Sequence, residues 1–251
     1  MEPLTTTNRA VVVTGAGTGI GRATARAFAA AGDRVLAVGR RPAPLAQTAA
    51  GDDRIRAFAV DVTAPDAADR IAAEADRRYG RLDVLVNNAG IVRAGSLATL
   101  DPGDVDAQLA TNLVAPVRLT RAALPLLTVR GGVVVNVTTS IGQRGWPGNS
   151  VYAATKAALE HLTRSWAVEL APQGVRVVAV APGAVDTPIG VHQGLDPEQA
   201  AAVRRWQVAR TPLGRIGRPQ EVAWLITTVA APQAGFVTGA VLPVDGGAVV
   251  A

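Results

Sequence analysis

Residues 10–21 read AVVVTGAGTGIG and join an apolar, β-branched run to a turn that contains four glycines. Such a run, bounded by glycine, is typical of a buried β-strand. Glycines after a first strand let the backbone turn tightly and approach a pyrophosphate, whose charge is favoured by the N-terminus of the next helix. The stretch therefore predicts a strand, a turn and a helix that bind a dinucleotide, although Ile20 departs from the strict G-x-G-x-x-G pattern.

Apolar β-type runs alternate with longer alanine-rich stretches along the whole chain. The runs are continuous rather than alternating in polarity, which is typical of strands buried on both faces. This order predicts a single-domain, Rossmann-type, doubly wound α/β fold with a seven-stranded parallel sheet, right-handed crossovers and helices on both faces. The predicted strands are 10–14, 35–38, 55–60, 82–86, 133–137, 175–180 and 240–244, and the predicted helices are 20–31, 66–79, 103–129, 151–171 and 219–230.

No linker or change of composition divides residues 1–251, so we predict one domain. The longest insertion, residues 188–218, contains a predicted helix over 197–208 with Asp196 as its N-cap. In a doubly wound fold, an insertion that follows the carboxyl end of a strand tends to cover the ligand crevice. We therefore expect this segment to cover the substrate.

The composition excludes several classes of protein. The chain has no cysteine, which excludes disulfides, zinc-thiolate sites, iron-sulfur clusters and cysteine nucleophiles. No apolar run approaches the length of about 20 residues that a membrane-spanning helix needs, and the first residues lack the features of a secretory signal. The net charge is +5, but basic residues occur at most in pairs. We therefore expect a cytoplasmic protein that binds neither membranes nor nucleic acid.

Tyr152 and Lys156 lie four residues apart at a predicted helix start, on one helix face. An ammonium beside a phenol favours the phenolate, so we expect a lowered pKa for Tyr152 and a role as general acid/base. An isolated pair with this spacing is more often structural. However, 24 of the 25 basic residues are arginine and Lys156 is the only lysine. The compact ammonium of lysine differs in shape from the planar guanidinium of arginine. The use of lysine at this one position therefore favours a functional role for Lys156 over a structural one.

The spacing Gly15-x3-Gly19-x-Gly21 resembles that of the short-chain dehydrogenase/reductase family. Further motifs similar to those of the family follow in the right order across nearly the whole chain. They are Asn87-Asn88-Ala89-Gly90, Asn112, Tyr152-x3-Lys156, PGAVDTP at 182–188 and VDGG at 244–247. The set resembles the 3-oxoacyl-carrier-protein reductase-like ketoreductases of this family.

The resemblance implies a nicotinamide cofactor. An NAD-selective member of the family has an acidic residue after the second strand, where this chain has Gly39 followed by Arg40 and Arg41, whose guanidinium groups suit a phosphate. We expect NADP(H) to be preferred, with NAD(H) as the alternative if these arginines are only solvated. The implied cofactor-binding residues are Gly15, Gly17, Thr18, Gly19, Ile20, Gly21, Arg40, Arg41, Asp61, Val62, Asn88, Ala89, Gly90, Tyr152, Lys156, Pro182, Gly183, Val185 and Thr187.

The third catalytic position is ambiguous. In the family a serine lies thirteen residues before the tyrosine, which in this chain is the position of Thr139, whereas Ser140 is one residue closer. Either hydroxyl can donate to a carbonyl oxygen, and the Thr-Thr-Ser order favours Ser140. The resemblance also implies that Asn112 interrupts its helix and holds a water that relays protons to Lys156. In the same family, the segments of Trp146 and Trp206 border the substrate.

We therefore predict an NAD(P)-dependent oxidoreductase that transfers a hydride between nicotinamide and a ketone or secondary alcohol. The alternatives are an epimerase or dehydratase on the same scaffold, or a non-catalytic dinucleotide-binding regulator. No metal site is predicted, because the two histidines lack partners at ligand spacing. Apolar positions on more than one face of helices 103–129 and 151–171, together with the resemblance, predict a homotetramer, with a homodimer as the alternative.

Overall fold

Seven strands pair in parallel and form one sheet. They are β1 (Ala10–Thr14), β2 (Arg34–Gly39), β3 (Ile55–Ala59), β4 (Val84–Asn87), β5 (Val133–Val137), β6 (Arg176–Pro182) and β7 (Val241–Val244). Their order is β3-β2-β1-β4-β5-β6-β7. The computed structural model describes residues 8–140, 145, 148–189 and 196–251, and it confirms the predicted doubly wound fold.

Eight α-helices lie among the described residues. They are α1 (Gly19–Ala30), α2 (Pro42–Ala49), α3 (Ala67–Tyr79), α4 (Pro102–Leu109), α5 (Ala115–Leu127), α6 (Ser150–Leu170), α7 (Pro197–Ala209) and α8 (Pro219–Val229). Helix α2 was not predicted, and the predicted helix 103–129 is divided by a π-helical turn over Ala110–Val114. None of the described helices combines the length and apolarity needed to cross a bilayer.

The helices bury the sheet from both sides. Phe28 of α1, Leu45 of α2 and Ile226 of α8 pack on one face. Ile71 of α3 and Leu127 of α5 belong to the core on the other face. Both sides of the central strands are therefore dry, which explains why those strands are continuously apolar.

The strand order reverses between β1 and β4, and polar bonds join the two strands where they end. The Thr14 hydroxyl donates to the carbonyl of Val86 at 3.2 Å and accepts the backbone N–H groups of Asn88 and Ala89, each at 3.0 Å. The Asn88 side chain donates to the Thr14 carbonyl at 2.8 Å. In a doubly wound sheet, the carboxyl ends of the strands at such a reversal border the ligand crevice.

The opposite end of β1 and β2 is joined by a buried ion pair. The Arg9 guanidinium binds the Asp33 carboxylate through Nη2 at 2.7 Å and Nε at 3.1 Å, and the Asp33 side chain has no exposed surface. A second Arg9 nitrogen donates to the carbonyl of Ala230, just after α8, at 2.8 Å. The pair therefore connects β1, the start of β2 and the end of α8.

We expect Asp33→Asn to lower the free energy of unfolding by about 3 kcal/mol or more, because it leaves the Arg9 charge buried without its anion. Urea denaturation would measure the change. The matched control is Asp66→Asn, because Asp66 pairs with Arg70 at 3.6 Å and both side chains are more than half exposed. That control should cost less than about 1 kcal/mol. Equal effects of the two substitutions would contradict a special role for the buried pair.

Candidate active site

A cavity of about 1040 Å³ opens at the carboxyl edge of the sheet, where the strand order reverses. Residues that follow each of the strands β1 to β6 line it, together with residues of α7. Its volume is at the upper end of the range for small-molecule sites, which suits a large ligand such as a dinucleotide. All the cofactor-binding residues predicted from the sequence line this cavity.

The glycine turn after β1 forms one wall of the cavity. Gly15 has a φ of +65°, and a Cβ at this position would lie 2.8 Å from the side chain of Asn88. A Cβ at Gly21 would overlap the carbonyl oxygen of Gly15. Helix α1 begins at Gly19 with no side-chain cap and no acidic residue in its first turn. Its first backbone N–H groups are thus available to an anion, and the turn fits a pyrophosphate.

Helix α2 braces this turn through contacts that the sequence did not predict. Arg22 of α1 donates through Nε to the carbonyl of Gly17 at 3.0 Å and through Nη2 to the carbonyl of Pro44 at 3.3 Å. The Thr48 hydroxyl donates to the carbonyl of Ala16 at 2.9 Å. These bonds fix α2, and with it the segment after β2, relative to the turn.

Two arginines and one aspartate border the end of the cavity beyond β2 and β3. Arg40 and Arg41 both line it. The Arg40 side chain is 66% exposed and lies 4.0 Å from the carboxylate of Asp61, which accepts the backbone N–H and the hydroxyl of Thr63 at 3.0 and 2.8 Å. Because Asp61 is held in place and Arg40 is not, the guanidinium is free to turn toward an anion in the cavity.

Tyr152 lies in the first turn of α6 and faces Thr139, at the end of β5. Their hydroxyl groups are hydrogen-bonded to each other. The Thr139 hydroxyl also donates to the carbonyl of Pro182 at 3.2 Å. Thr139 lines the cavity, whereas Ser140 is buried and does not. The geometry therefore places Thr139, the position found by counting back from Tyr152, next to the tyrosine.

The protonation of Tyr152 differs from the sequence-based expectation. Burial raises the pKa of Tyr152 to about 12, and the hydrogen bond with Thr139 offsets only part of that effect. The Lys156 ammonium lies 5.9 Å from the centre of the tyrosine ring and donates to the carbonyl of Val137 at 2.8 Å. The expected lowering of the pKa of Tyr152 by Lys156 is therefore wrong: burial raises this pKa, and the group that opposes the rise is Thr139 rather than Lys156. Tyr152 is a neutral phenol at pH 7.

Asn112 lies in the π-helical turn and is fully buried. Its amide accepts the N–H of Ile91 and donates to the carbonyl of the same residue, both at 2.9 Å, and donates to Thr155 at 3.2 Å. A Cβ at Gly90 would lie 3.4 Å from both Asn112 Oδ1 and Lys156 Nζ. Asn112 thus supports the loop beside Lys156 without lining the cavity, and its role in a proton relay stays a prediction.

The insertion contributes its helix to the cavity wall. Asp196 caps α7 as predicted, accepting the N–H of Gln199 at 2.8 Å. Residues 202, 203, 206 and 207 of this helix line the cavity. One of them, Trp206, stacks against Arg210, whose guanidinium carbon lies 4.6 Å from the ring centre.

Residues 190–195 and Trp146 lie outside the described residues. Further residues that line the cavity were not predicted from the sequence, among them Arg93, Thr111 and Asn149.

Within the described ranges, no cluster of three histidine, aspartate or glutamate side chains is placed to hold a metal ion.

The charged group deepest in the site is Lys156, whose residue is only 4% exposed. Burial lowers its pKa to about 8 from the ordinary value of 10.5. Since the folded protein loses this proton before the unfolded chain does, stability should rise with pH between about 8 and 10.5.

We expect Lys156→Met to raise the melting temperature at pH 7, because it removes a charge that folding must desolvate. The variant should also lack the rise in melting temperature between about pH 7.5 and 9.5 that the wild type shows. Thermal unfolding between pH 7 and 9.5 would measure both effects. This pH range lies below the pKa of Tyr152 in the folded protein. Arg164→Met, an exposed change on the same helix, should keep the wild-type trend. A lower melting temperature of Lys156→Met at pH 7 would contradict the desolvation cost.

Known proteins resemble the chain over nearly its whole length. Residues 15–249 match the family model described as enoyl-(acyl carrier protein) reductase. The chain is 38% identical over 244 residues to a 3-oxoacyl-(acyl-carrier-protein) reductase of Thermotoga maritima, covering 95% of this chain and 97% of that protein. It is 41% identical over 245 residues to a cis-4-hydroxycyclohexanecarboxylate dehydrogenase of Sinomonas cyclohexanicum, covering 95% and 96%. A short-chain dehydrogenase/reductase of unknown function from Caenorhabditis elegans, solved with cofactor, superimposes with a TM-score of 0.90 at 31% identity, covering 97% and 96%.

Proposed function

The chain belongs to the short-chain dehydrogenase/reductase family of oxidoreductases, and we propose that it uses a nicotinamide cofactor to interconvert a ketone and a secondary alcohol. The observation that carries the proposal is the hydrogen-bonded pair of Tyr152 and Thr139 hydroxyls in the cavity that also contains Lys156 and the glycine turn. A proton donor and a dinucleotide cradle in one cavity are what carbonyl reduction requires.

The two hydroxyl groups act on one substrate atom. A ketone oxygen placed beside them accepts one O–H bond from Tyr152 and one from Thr139, whose single hydroxyl hydrogen turns to it from the carbonyl of Pro182. The two bonds draw electron density from the carbonyl carbon. When bound, the reduced nicotinamide supplies the hydride. Tyr152, which is a neutral phenol at pH 7, gives its proton to the oxygen. Lys156 is the cation beside the tyrosine that holds the cofactor ribose and stabilises the phenolate left behind.

Removing the tyrosine hydroxyl tests the proton donor. We expect Tyr152→Phe to abolish ketone reduction while leaving folding and cofactor binding intact, because only the ionisable group is lost. Thr139→Val, which keeps the shape and removes the second donor, should lower kcat about a hundredfold. Thr139→Ser and the neighbouring Ser140→Ala serve as controls and should stay within a few fold of wild type.

Steady-state oxidation of NADPH with a panel of ketones would give these rates. A larger loss for Ser140→Ala than for Thr139→Val would assign the second donor to Ser140 instead. If no ketone is reduced with either cofactor although the chain binds a dinucleotide, the non-catalytic regulator becomes the better description.

We also propose that NADP(H) is preferred over NAD(H). Gly39 leaves room beside the cavity, Arg40 and Arg41 line it, and the side chain of Arg40 is mostly exposed. Guanidinium groups bind phosphate oxygens with two parallel hydrogen bonds, which suits the extra phosphate of NADP(H).

Arg40→Ala and Arg41→Ala should each raise the KM for NADPH by about 10- to 100-fold, the range for a hydrogen bond to a charged group. The same variants should leave the KM for NADH nearly unchanged, because NADH lacks the phosphate. Measuring kcat/KM with both cofactors checks this. Arg22→Lys is a useful comparison, since it weakens the brace of the glycine turn and should affect both cofactors alike. A wild type that favours NADH would refute the assignment.

Self-association into a homotetramer, or a homodimer, is part of the same proposal. Five large apolar side chains on the helices that were predicted to associate are substantially exposed, namely Leu109, Val114, Val117, Val129 and Val168. Val168 is 77% exposed on α6, the helix that carries Tyr152. A second copy that covered these residues would shield apolar surface and hold α6 in place.

A further inference from the structure

Asn149 is the N-cap residue of α6 and lies three residues before Tyr152, in the wall of the cavity. Asparagine is favoured at helix N-caps because its side chain accepts a backbone N–H of the first turn. The Asn149 side chain makes no such bond. Its Oδ1 is buried and has no hydrogen-bond partner. Buried polar atoms are nearly always paired, so this oxygen is an exception among the described residues. Because Asn149 also lines the cavity, a ligand that enters the cavity can contact this side chain and bring its amide a partner.

The backbone around this amide is well anchored. The carbonyl of Asn149 accepts the first helical hydrogen bond, from Ala153 at 2.9 Å. The preceding carbonyl, that of Gly148, accepts the N–H of Gly95 at 2.9 Å, which ties the start of α6 to the loop after β4. The side-chain amide is thus held on a fixed backbone, as a group that orients a substrate should be.

The described residues around Asn149 indicate what kind of molecule is bound. We define the substrate half of the cavity as the part lined by residues 91–94, Asn149, Ile189 and α7. Its lining includes Ala94, Val203 and Trp206, and its only charged member among the described residues is Arg93. The Arg93 guanidinium lies 3.2 Å from the carboxylate of Asp104, so its charge is compensated. This half therefore suits a neutral molecule with apolar surface.

We propose that Asn149 determines specificity by binding a second polar group of the substrate, a hydroxyl or carbonyl one or two carbons from the reacting ketone. The inference rests on the proposed function. Residues three apart at a helix start have Cβ atoms about 5–6 Å apart, so a group on Asn149 can lie close to an oxygen held by Tyr152. The amide offers both a donor and an acceptor, which matches a hydroxyl. The substrate class is thus a neutral hydroxyketone or diketone with an apolar remainder.

The test compares 2-hydroxycyclohexanone with cyclohexanone, which differ only in the second polar group. Wild type should prefer the hydroxyketone, and Asn149→Ala should lower the ratio of the two kcat/KM values at least tenfold. The loss should fall on the hydroxyketone, while kcat/KM for cyclohexanone and the KM for NADPH stay within about twofold. Ser150→Ala is the matched control, because this exposed neighbour does not line the cavity and should keep the wild-type ratio.

An unchanged ratio in Asn149→Ala overturns the inference, as does an equal loss on both ketones, which would make Asn149 a support for Tyr152 only. If Asn149→Ala does not fold, Asn149→Asp replaces it, because aspartate is also a good N-cap residue. This variant retains an acceptor but loses the amide donor. The ratio of its kcat/KM values for the two ketones should also fall. If wild type reduces neither ketone nor any other member of the ketone panel, the proposed function fails and the inference fails with it. Turnover without preference for the hydroxyketone overturns the inference alone.

Discussion

The contact on which the rest of the site depends is between two pieces of backbone. The first turn of α1 approaches the turn after β1 so closely that a Cβ at Gly21 would overlap the carbonyl of Gly15. This approach sets α1 against the sheet and leaves its first N–H groups open at the cavity. Thr14 and Asn88 then fix the end of β4 to the same turn. A single methyl group at residue 21 would force the start of α1 away from the turn after β1.

Around this backbone framework, the groups that carry the chemistry are poorly stabilised. Lys156 has one carbonyl as its hydrogen-bond acceptor for a buried ammonium, and Asn149 has a buried amide oxygen without a partner. The same loss of solvent raises the pKa of Tyr152 and lowers the pKa of Lys156. The buried pair of Arg9 and Asp33, which lies at the other end of the strands, is by contrast fully matched in charge. Stability thus resides at the amino edge of the sheet, and reactivity at the carboxyl edge.

The sequence predicts the sheet well because its strands are buried on both faces and carry an unambiguous apolar signal. Strands β1 and β5 begin and end at the predicted residues, and the other five differ by one or two residues at an end. Helix α2 was missed because its prolines suggest a loop, although Pro42 at the first helical position is compatible with a helix start. The resemblance predicted an interruption at Asn112, and the π-helical turn contains this residue, although the apolar pattern of 103–129 continues through the turn and gives no sign of it.

The site was predictable wherever residue type and chain position were sufficient, as for Tyr152 and Lys156. The sequence left Thr139 and Ser140 as alternatives; in the structure Thr139 lines the cavity and Ser140 does not, and which of them acts as the donor stays a prediction. The raised pKa of Tyr152 could not be predicted, because it depends on how much solvent the fold removes. Asn149 carried no sequence signal, because an asparagine before a helix is ordinarily a cap.

The use of arginine at every other basic position has a practical consequence for chemistry on the folded protein. Apart from the α-amino group, the only primary amine of the chain is Lys156, which lines the cavity. With a pKa of about 8, it is unprotonated more often near neutral pH than an ordinary lysine. A small amine-directed reagent that enters the cavity would therefore label one side chain, and any molecule that fills the cavity would block the labelling. The extent of modification at Lys156, measured separately from that of the α-amino group, would then count vacant sites without a substrate and without turnover.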